Sequence, residues 1–418
     1  MAKSPMGELL PHHTSRAVAE ALDDTRVVLI NGARQSGKST LVRLLAKGRT
    51  AEWRDLDATA TRQAALADPD GFVAFPELMV IDKIQRAPEL LLAIKAQVDH
   101  DPRPGRFLLT GSSRLLGLKD LPDTLPGRME TIELWPFSQG EIDGTADRFV
   151  DAIFSEGSRL RHNSDVTRTG YAERLVRGGF PEAVARDTAR RRGRFFDSYV
   201  GDLIARDVRQ LTDIERGPEM RALIRLLAAR SGQLLVANAL SNELGVSAST
   251  VNRYLVLLEE VFLIKRVPAW SRNLSNRAVA TPKMAFTDSG VAANALGADA
   301  RGLIRPGGAF GPLLEGFVLM ELARQLTWSE ELVDLYHYRT KDGTEVDAVL
   351  ENRQGRVVGI EVKAASTVRA EDFRGLKHLA DRLGDDFVAG VVLYTGTQTL
   401  PFGDRMRAMP VGALWEVG

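Results

Sequence analysis

Gly32-Ala33-Arg34-Gln35-Ser36-Gly37-Lys38-Ser39 spells G-x-x-x-x-G-K-[ST], and it stands between the apolar run Val27-Val28-Leu29-Ile30 and the helical-period run Leu41, Val42, Leu44, Leu45. A strand before it and a helix after it make this segment a phosphate-binding loop. The two glycines let the backbone curl until its N–H groups face an anion. Lys38 then reaches the outer phosphates, Ser39 ligates magnesium, and the next helix presents its positive end. A Gly/Ser turn with a solvated lysine would not explain why four spaced residues all meet the nucleotide pattern. The expected ligand is ATP with Mg2+, cradled by Gly32 through Thr40.

A second buried-strand pattern, Leu78-Met79-Val80-Ile81, ends in Asp82, where an aspartate can hold magnesium through water. In nucleotide-hydrolysing relatives the next residue is usually a glutamate that polarises the attacking water, and such groups contribute roughly 10²–10⁴-fold in rate. Here it is Lys83, which accepts no proton at neutral pH and brings positive charge toward the phosphates. Binding is expected to survive and hydrolysis to be severely slowed. A natural chain with a degenerate ATPase site and a substitution that holds the bound state both fit, as does a lysine that simply faces solvent.

Composition sets wide limits. The chain has 418 residues, 44% hydrophobic and 26% charged, enough for two or three domains with substantial cores. With 55 basic and 55 acidic residues the formal net charge is zero, so nucleic-acid binding would need local patches rather than a general positive field. The absence of cysteine excludes disulfides and thiolate metal sites and is compatible with a reducing cytosol. No run approaches the ~18 apolar residues of a membrane span and no apolar signal region opens the chain, so the expected location is cytoplasmic, with no membrane partner.

From the N-terminus, strand-like runs at Val27–Ile30, Glu52–Leu56, Leu78–Asp82, Phe107–Thr110 and Thr131–Leu134 alternate with helical ones, which argues for a parallel sheet flanked by helices. The fourth run ends in Thr110-Gly111-Ser112-Ser113, at the strand edge where ligands of open α/β sheets bind. Ser112 or Thr110 is placed to orient the water or the γ-phosphate, unless this is a plain strand-ending turn. Arg128, in Leu125-Pro126-Gly127-Arg128, is either a surface residue or one that stabilises transition-state charge on a neighbouring subunit's nucleotide. The second option implies a homo-oligomer.

Gly32 to Thr40, Ile81-Asp82-Lys83-Ile84-Gln85-Arg86-Ala87-Pro88, Leu109-Thr110-Gly111-Ser112 and Pro126-Gly127-Arg128 resemble the bacterial and archaeal AAA-type ATPases that carry a C-terminal domain of unknown function. The resemblance spans nearly the whole chain. In that family the second motif usually reads I-D-E-I-Q, so Lys83 is the one clear departure. The resemblance further implies that Gly178-Gly179-Phe180-Pro181-Glu182 lies in a small helical lid and that Tyr199 to Gln210 begins a helical connector.

Two further constellations follow. Leu240 through Leu255 reads as helix, Gly-containing turn and helix, with Leu244, Val246, Val251 and Leu255 able to fill a core. Ser247, Ser249, Thr250, Asn252 and Arg253 are candidate DNA contacts at the start of a recognition helix, and Val261 to Val267 suggests the strand of a wing. The run Arg190-Arg191-Arg192 with Arg194 can pair with phosphates in a salt-dependent, sequence-neutral way, or can be a solvated helix face. Winged helices in ATPases also serve as lids or protein-docking modules.

Near the end, Glu345 to Leu350 alternates as a half-buried strand, and a second strand closes on Glu361-Val362-Lys363. Asp347, Glu361 and Lys363 would share one side of a β-hairpin, where two carboxylates can hold a metal and a lysine can orient water. This resembles the D…(D/E)-x-K arrangement of restriction-endonuclease-like folds, whose helix-borne acid Glu315 would match. A surface salt bridge gives the same letters.

The expected fold class is therefore α/β: a P-loop AAA-type core at 1–145, a helical lid and connector at 146–215, a winged helix-turn-helix at 216–285 and a nuclease-like α/β domain at 286–418. The expected function is an AAA-type ATPase, DNA-associated, in which Lys38, Asp82, Lys83, Ser112 and Arg128 govern turnover and Ser39 and Asp82 hold the metal. The alternatives are a nucleotide-gated, metal-dependent nuclease using Glu315, Asp347, Glu361 and Lys363, and a regulator with ATP as a structural ligand.

Overall fold

A computed structural model describes residues 9–112, 125–208, 217–273, 277 and 280–418. The chain divides into two compact units, residues 1–136 with 260–262, and residues 137–259 with 263–418.

The first unit is built on five parallel strands, β1 (Val27–Asn31), β2 (Ala51–Asp55), β3 (Leu78–Asp82), β4 (Phe107–Gly111) and β5 (Met129–Glu133), in the order β2-β3-β4-β1-β5. Strands β1, β3 and β4 are buried at every position, as expected where helices cover both faces of a parallel sheet. Val27, Leu29, Met79, Ile81, Phe107 and Leu109 pack with Leu90, Ile94 and Val98 of the helix Leu90–His100. Val28, Ile30, Val80 and Leu108 face the other way, against Val18 and Leu22 of the helix Ser15–Asp24 and Leu41 and Val42 of the helix Lys38–Ala46. Each such side chain stabilises the fold by about 1.5–3 kcal/mol. The five strands match the sequence expectation to within two residues at each end. Their order carries the functional consequence: β4 runs between β1 and β3, so the loops after β1, β3 and β4 share one carboxyl edge.

The second unit opens with helices that include Arg168–Arg177 and Ala189–Asp202. The helices Ala237–Leu244 and Ala248–Glu260 follow, joined at Gly245, whose φ of 67° caps the first in the left-handed region. Leu240, Val251 and Leu255 are buried, while Leu244 and Val246 are only half-buried. Strand β6 (Ile264–Val267) pairs antiparallel with β7 (Lys283–Phe286). The expected strand from Val261 thus begins at Ile264, after Phe262 takes a φ of 58°.

The rest is a six-stranded mixed sheet in the order β12-β13-β11-β10-β9-β8, made of β8 (Val333–Arg339), β9 (Glu345–Asn352), β10 (Val357–Lys363), β11 (Phe387–Tyr394), β12 (Leu400–Pro401) and β13 (Met406–Pro410). Strands β8, β9 and β10 run antiparallel, and β10, β11 and β13 run parallel. The helix Arg374–Leu383 sets Leu376 and Leu379 on the core of Val346, Val349, Val357 and Phe387, and the helix Phe310–Gln325 packs on β7 and β10. Val346 through Leu350 are all buried, so the expected half-buried alternation in β9 does not hold: both faces of this strand are covered.

Candidate functional site

Strand β1 delivers the chain into the loop Gly32–Gly37, and the helix Lys38–Ala46 begins directly behind it. Glycine is required twice. At Gly32 (φ 157°) a Cβ would lie 2.1 Å from the Leu134 carbonyl oxygen, and at Gly37 (φ 105°) it would lie 2.7 Å from His12 Nε2. That imidazole is buried and its Nε2 lies 3.0 Å from the Ser36 carbonyl, holding the loop from outside. Nothing in the local pattern around His12 signals this contact. Arg34 is half-buried, Gln35 is exposed at φ 60°, Ser36 is buried, and Ala33 and Thr40 flank the turn and the helix start.

Lys38 folds across its own loop. Its Nζ donates to the carbonyls of Gly32 at 2.9 Å and Ala33 at 2.6 Å. Only 8% of the residue is exposed, and burial, with Arg34 and Lys83 nearby, outweighs the attraction of Asp82 and lowers its pKa to about 7. Such an ammonium is short of anionic partners, which phosphates would supply.

Ser39 and Asp82 are in contact. The Ser39 hydroxyl lies 2.9 and 3.1 Å from the two carboxylate oxygens of Asp82, and Thr110, at the end of β4, donates its hydroxyl to the same carboxylate. This all-oxygen donor pair suits a hard cation such as Mg2+, which keeps several waters and takes one or two protein ligands. Thr110 also accepts the Lys83 N–H at 2.9 Å, so one hydroxyl joins the metal-binding candidate to the residue after it. Ser112 accepts from Gln85 Nε2 at 2.7 Å, a partner missed in the sequence; Ser113 lies outside the described residues.

The side chain of Lys83 has acidic partners at the neighbouring strand's exit. The residue adopts φ 64° and ψ 50°, an uncommon conformation without glycine, and its ammonium bonds to Asp57, just past β2, rather than being left open toward the loop. Asp55 Oδ1 is 3.9 Å away and Arg86 Nε donates to Asp57 at 3.1 Å. Burial opposes ionisation of Asp57, but the bonds from Lys83 and Arg86 prevail and hold its carboxyl below the ordinary range. Arg128 lies at the opposite edge of the sheet, since β5 starts alongside Val27, the first residue of β1. It pairs with Asp99 and donates to the Pro126 carbonyl at 3.1 Å, so within its own chain it is not part of the site.

In the second unit the four expected nuclease-like residues are neighbours, and a lysine from another strand lies among them. Among the described residues no three His, Cys, Asp or Glu side chains are grouped to hold a metal ion. The β9–β10 register pairs Ile360 with Ala348, so Glu361 follows opposite Asp347. Lys283 enters from β7 and donates to Glu315 Oε1 at 2.5 Å and Asp347 Oδ1 at 2.7 Å. Lys363 donates to Glu361 at 3.2 Å instead of facing an open ion position. Burial and the Asp347 charge lift the pKa values of Glu315 and Glu361 well above the carboxylate range.

The helix-turn-helix candidates are partly spent on local structure. Ser247 accepts the Thr250 N–H at 3.1 Å as a helix cap, and its hydroxyl lies 2.8 and 2.9 Å from those of Ser249 and Thr250. Asn252 and Arg253 are exposed. The Gly178–Glu182 segment is anchored by Asp288, which accepts from Gly179 and Phe180 N–H groups at 2.6 and 3.2 Å.

Comparison with known proteins adds the family. Residues 24–143 match the family described as AAA domain, and residues 168–302 and 310–414 match two domains of unknown function, DUF8612 and DUF4143. Uncharacterized proteins Rv2008c of Mycobacterium tuberculosis and Mb2031c of Mycobacterium bovis are each 30% identical over 404 residues, covering 95% of this chain and 83% of theirs. The Walker-type ATPase PABY2304 of Pyrococcus abyssi is 17% identical, with a TM-score of 0.43 over 71% of this chain and 98% of that one. AMPPCP-bound DnaA from Aquifex aeolicus is 13% identical, with a TM-score of 0.30 over 59% and 86%. Residues 24–143 thus match the AAA domain family, and the chain as a whole belongs to the family of these mycobacterial proteins.

Proposed function

We propose that this protein binds ATP with Mg2+ at Gly32–Thr40 and turns it over slowly because Lys83 stands where a catalytic glutamate is usual. The observation that carries the reading is the contact of Ser39 with both oxygens of Asp82, beside a buried Lys38 whose hydrogen bonds among the described residues go to its own loop's carbonyls. Lys38 orients the outer phosphates, Ser39 and Asp82 hold the metal, and Thr110 fixes the Asp82 carboxylate. When bound, the metal supplies charge neutralisation on the phosphates. Lys83 offers no acceptor for the attacking water, and Asp57 draws its ammonium aside, which supports slow turnover without loss of binding.

The test is Mg2+-dependent ATP turnover beside Lys83→Glu, with bound nucleotide quantified in both and each assay repeated with DNA. Binding by both proteins with phosphate release only from the glutamate variant is the expected result. Absence of hydrolysis in both, with or without DNA, would sink the motor reading and leave ATP as a structural or regulatory ligand.

We assign 1–145 to the nucleotide core, 146–215 to lid and connector, 216–285 to a winged helix and 286–418 to the C-terminal domain; the AAA and DUF4143 matches support the outer two. The exposed Asn252 and Arg253 support DNA association, Arg128 would act only across a homo-oligomeric boundary, and the expected location is cytoplasmic. No helix among the described residues is long and apolar enough to cross a membrane. The nuclease reading is supported by the proximity of Asp347, Glu361 and Glu315 and opposed by the lysine among them.

A further inference from the structure

We infer that Lys283 is a built-in cation: its ammonium stands where a divalent metal would bind between Glu315 and Asp347, and it keeps the C-terminal acid cluster metal-free. The two carboxylate oxygens converge on Nζ at 2.5 and 2.7 Å, close to the roughly 2.3–2.6 Å at which oxygens surround Ca2+. The carboxylates are thus already gathered around one point, and a lysine nitrogen occupies it.

The occupant is fixed from every side. Lys283 is 4% exposed, its backbone is held in β7 by pairing with Val267 and by a bridge to Leu234, and burial, which disfavours the ammonium, is outweighed by Asp347 and Glu315, so the group stays charged. Asp347 is oriented by its second oxygen, which accepts the Val362 N–H at 2.9 Å. Glu315 is half-buried and closely approached by Gly232, where a Cβ would lie 2.8 Å from the glutamate's own Cβ. Glu361 contributes one oxygen to Lys363, while its Oε2 is buried without a hydrogen-bond partner.

Charge balance then argues against a resident metal. Lys283 donates to both Glu315 and Asp347 and Lys363 donates to Glu361, so each carboxylate already has an ammonium partner, and a dication would meet the Lys283 ammonium at close range. A lysine balances charge but neither lowers the pKa of a bound water nor polarises a phosphoryl oxygen as a metal does. With Lys283 in place, the cluster fastens the β6–β7 pair to the helix Phe310–Gln325 and to β9, and it performs no metal-assisted cleavage.

The experiment uses the full chain without nucleotide, carrying Asp82→Asn to remove the P-loop metal position, with Mn2+ as the probe. Mn2+ binding is measured by isothermal titration and by the melting temperature. The parent is expected to bind no Mn2+ at submillimolar concentration; Lys283→Ala is expected to melt lower, to bind one ion and to regain the lost melting temperature on binding it. Adding Asp347→Asn should abolish that ion. If Lys283→Ala is unfolded alone, Mn2+ is expected to restore its circular dichroism, and the same is expected of Lys283→Ser. Stoichiometric Mn2+ binding by the parent that disappears with Asp347→Asn would overturn the inference. So would folded Lys283→Ala that binds none, or unfolded Ala and Ser variants that millimolar Mn2+ fails to restore.

Discussion

Raising the pH should weaken nucleotide binding, and the slope follows from Lys38. In the free protein, burial lowers this ammonium's pKa to about 7, whereas phosphate contact requires it charged. Below pH 7 the site is already protonated and affinity is full. Above it, each unit leaves roughly a tenfold smaller charged fraction, so affinity falls about tenfold per unit, or about 1.4 kcal/mol. At pH 8 the expected weakening is about tenfold, with close to one proton taken up per nucleotide bound. The window from pH 7.5 to 9 is clean on the ligand side, because the second ionisation of a phosphate lies near pH 6. The free protein should move the other way. A lysine whose folded pKa is depressed binds fewer protons folded than unfolded, so stability rises with pH between about 7 and its ordinary value.

Titration calorimetry in two buffers of different ionisation enthalpy reads affinity and proton uptake together. Lys38→Arg, charged throughout, should bind with a flat pH profile whatever its absolute affinity. A dissociation constant for the parent that stays level from pH 7.5 to 9, or binding without proton uptake at pH 8, would refute the claim that phosphates recharge this lysine.

Other substitutions probe the supports. Gly32→Ala places a methyl 2.1 Å from the Leu134 carbonyl oxygen; nucleotide retention on the purified protein should be lost and the melting temperature should drop. Thr110→Val removes the hydroxyl that bonds Asp82 and accepts from Lys83, and the Mg2+ concentration for half-maximal nucleotide binding should rise about tenfold, since a hydrogen bond to a charged group contributes about 1.5–3 kcal/mol. Asp288→Ala strands the N–H groups of Gly179, Phe180 and Val291, which should cost about 2–4 kcal/mol in denaturant unfolding, with nucleotide affinity of the folded fraction unchanged.

What the sequence discloses and what it hides divide along a physical line. The loop Gly32–Gly37 is legible because its geometry is local: the turn is made of consecutive backbone, and the glycines it demands stand close to Lys38, which folds across it. Strands β1, β3 and β4 are legible because burial on both faces writes an unbroken apolar run. The occupants of the electrostatic positions are not local. Asp57 takes the Lys83 ammonium from the neighbouring strand's exit, and His12 reaches Ser36 from ahead of the first helix. The acid cluster makes the limit plain. Glu315, Asp347, Glu361 and Lys363 are the same letters whether a metal or a lysine lies among them, and the deciding residue sits on a different strand pair. One local sign does exist: Lys283-Met284-Ala285-Phe286 is buried at every position, and a cation in such a strand requires an acidic partner. Reading that requirement backwards, from a buried charge to the carboxylates that must meet it, is the step by which the letters of a metal site become those of an ion pair.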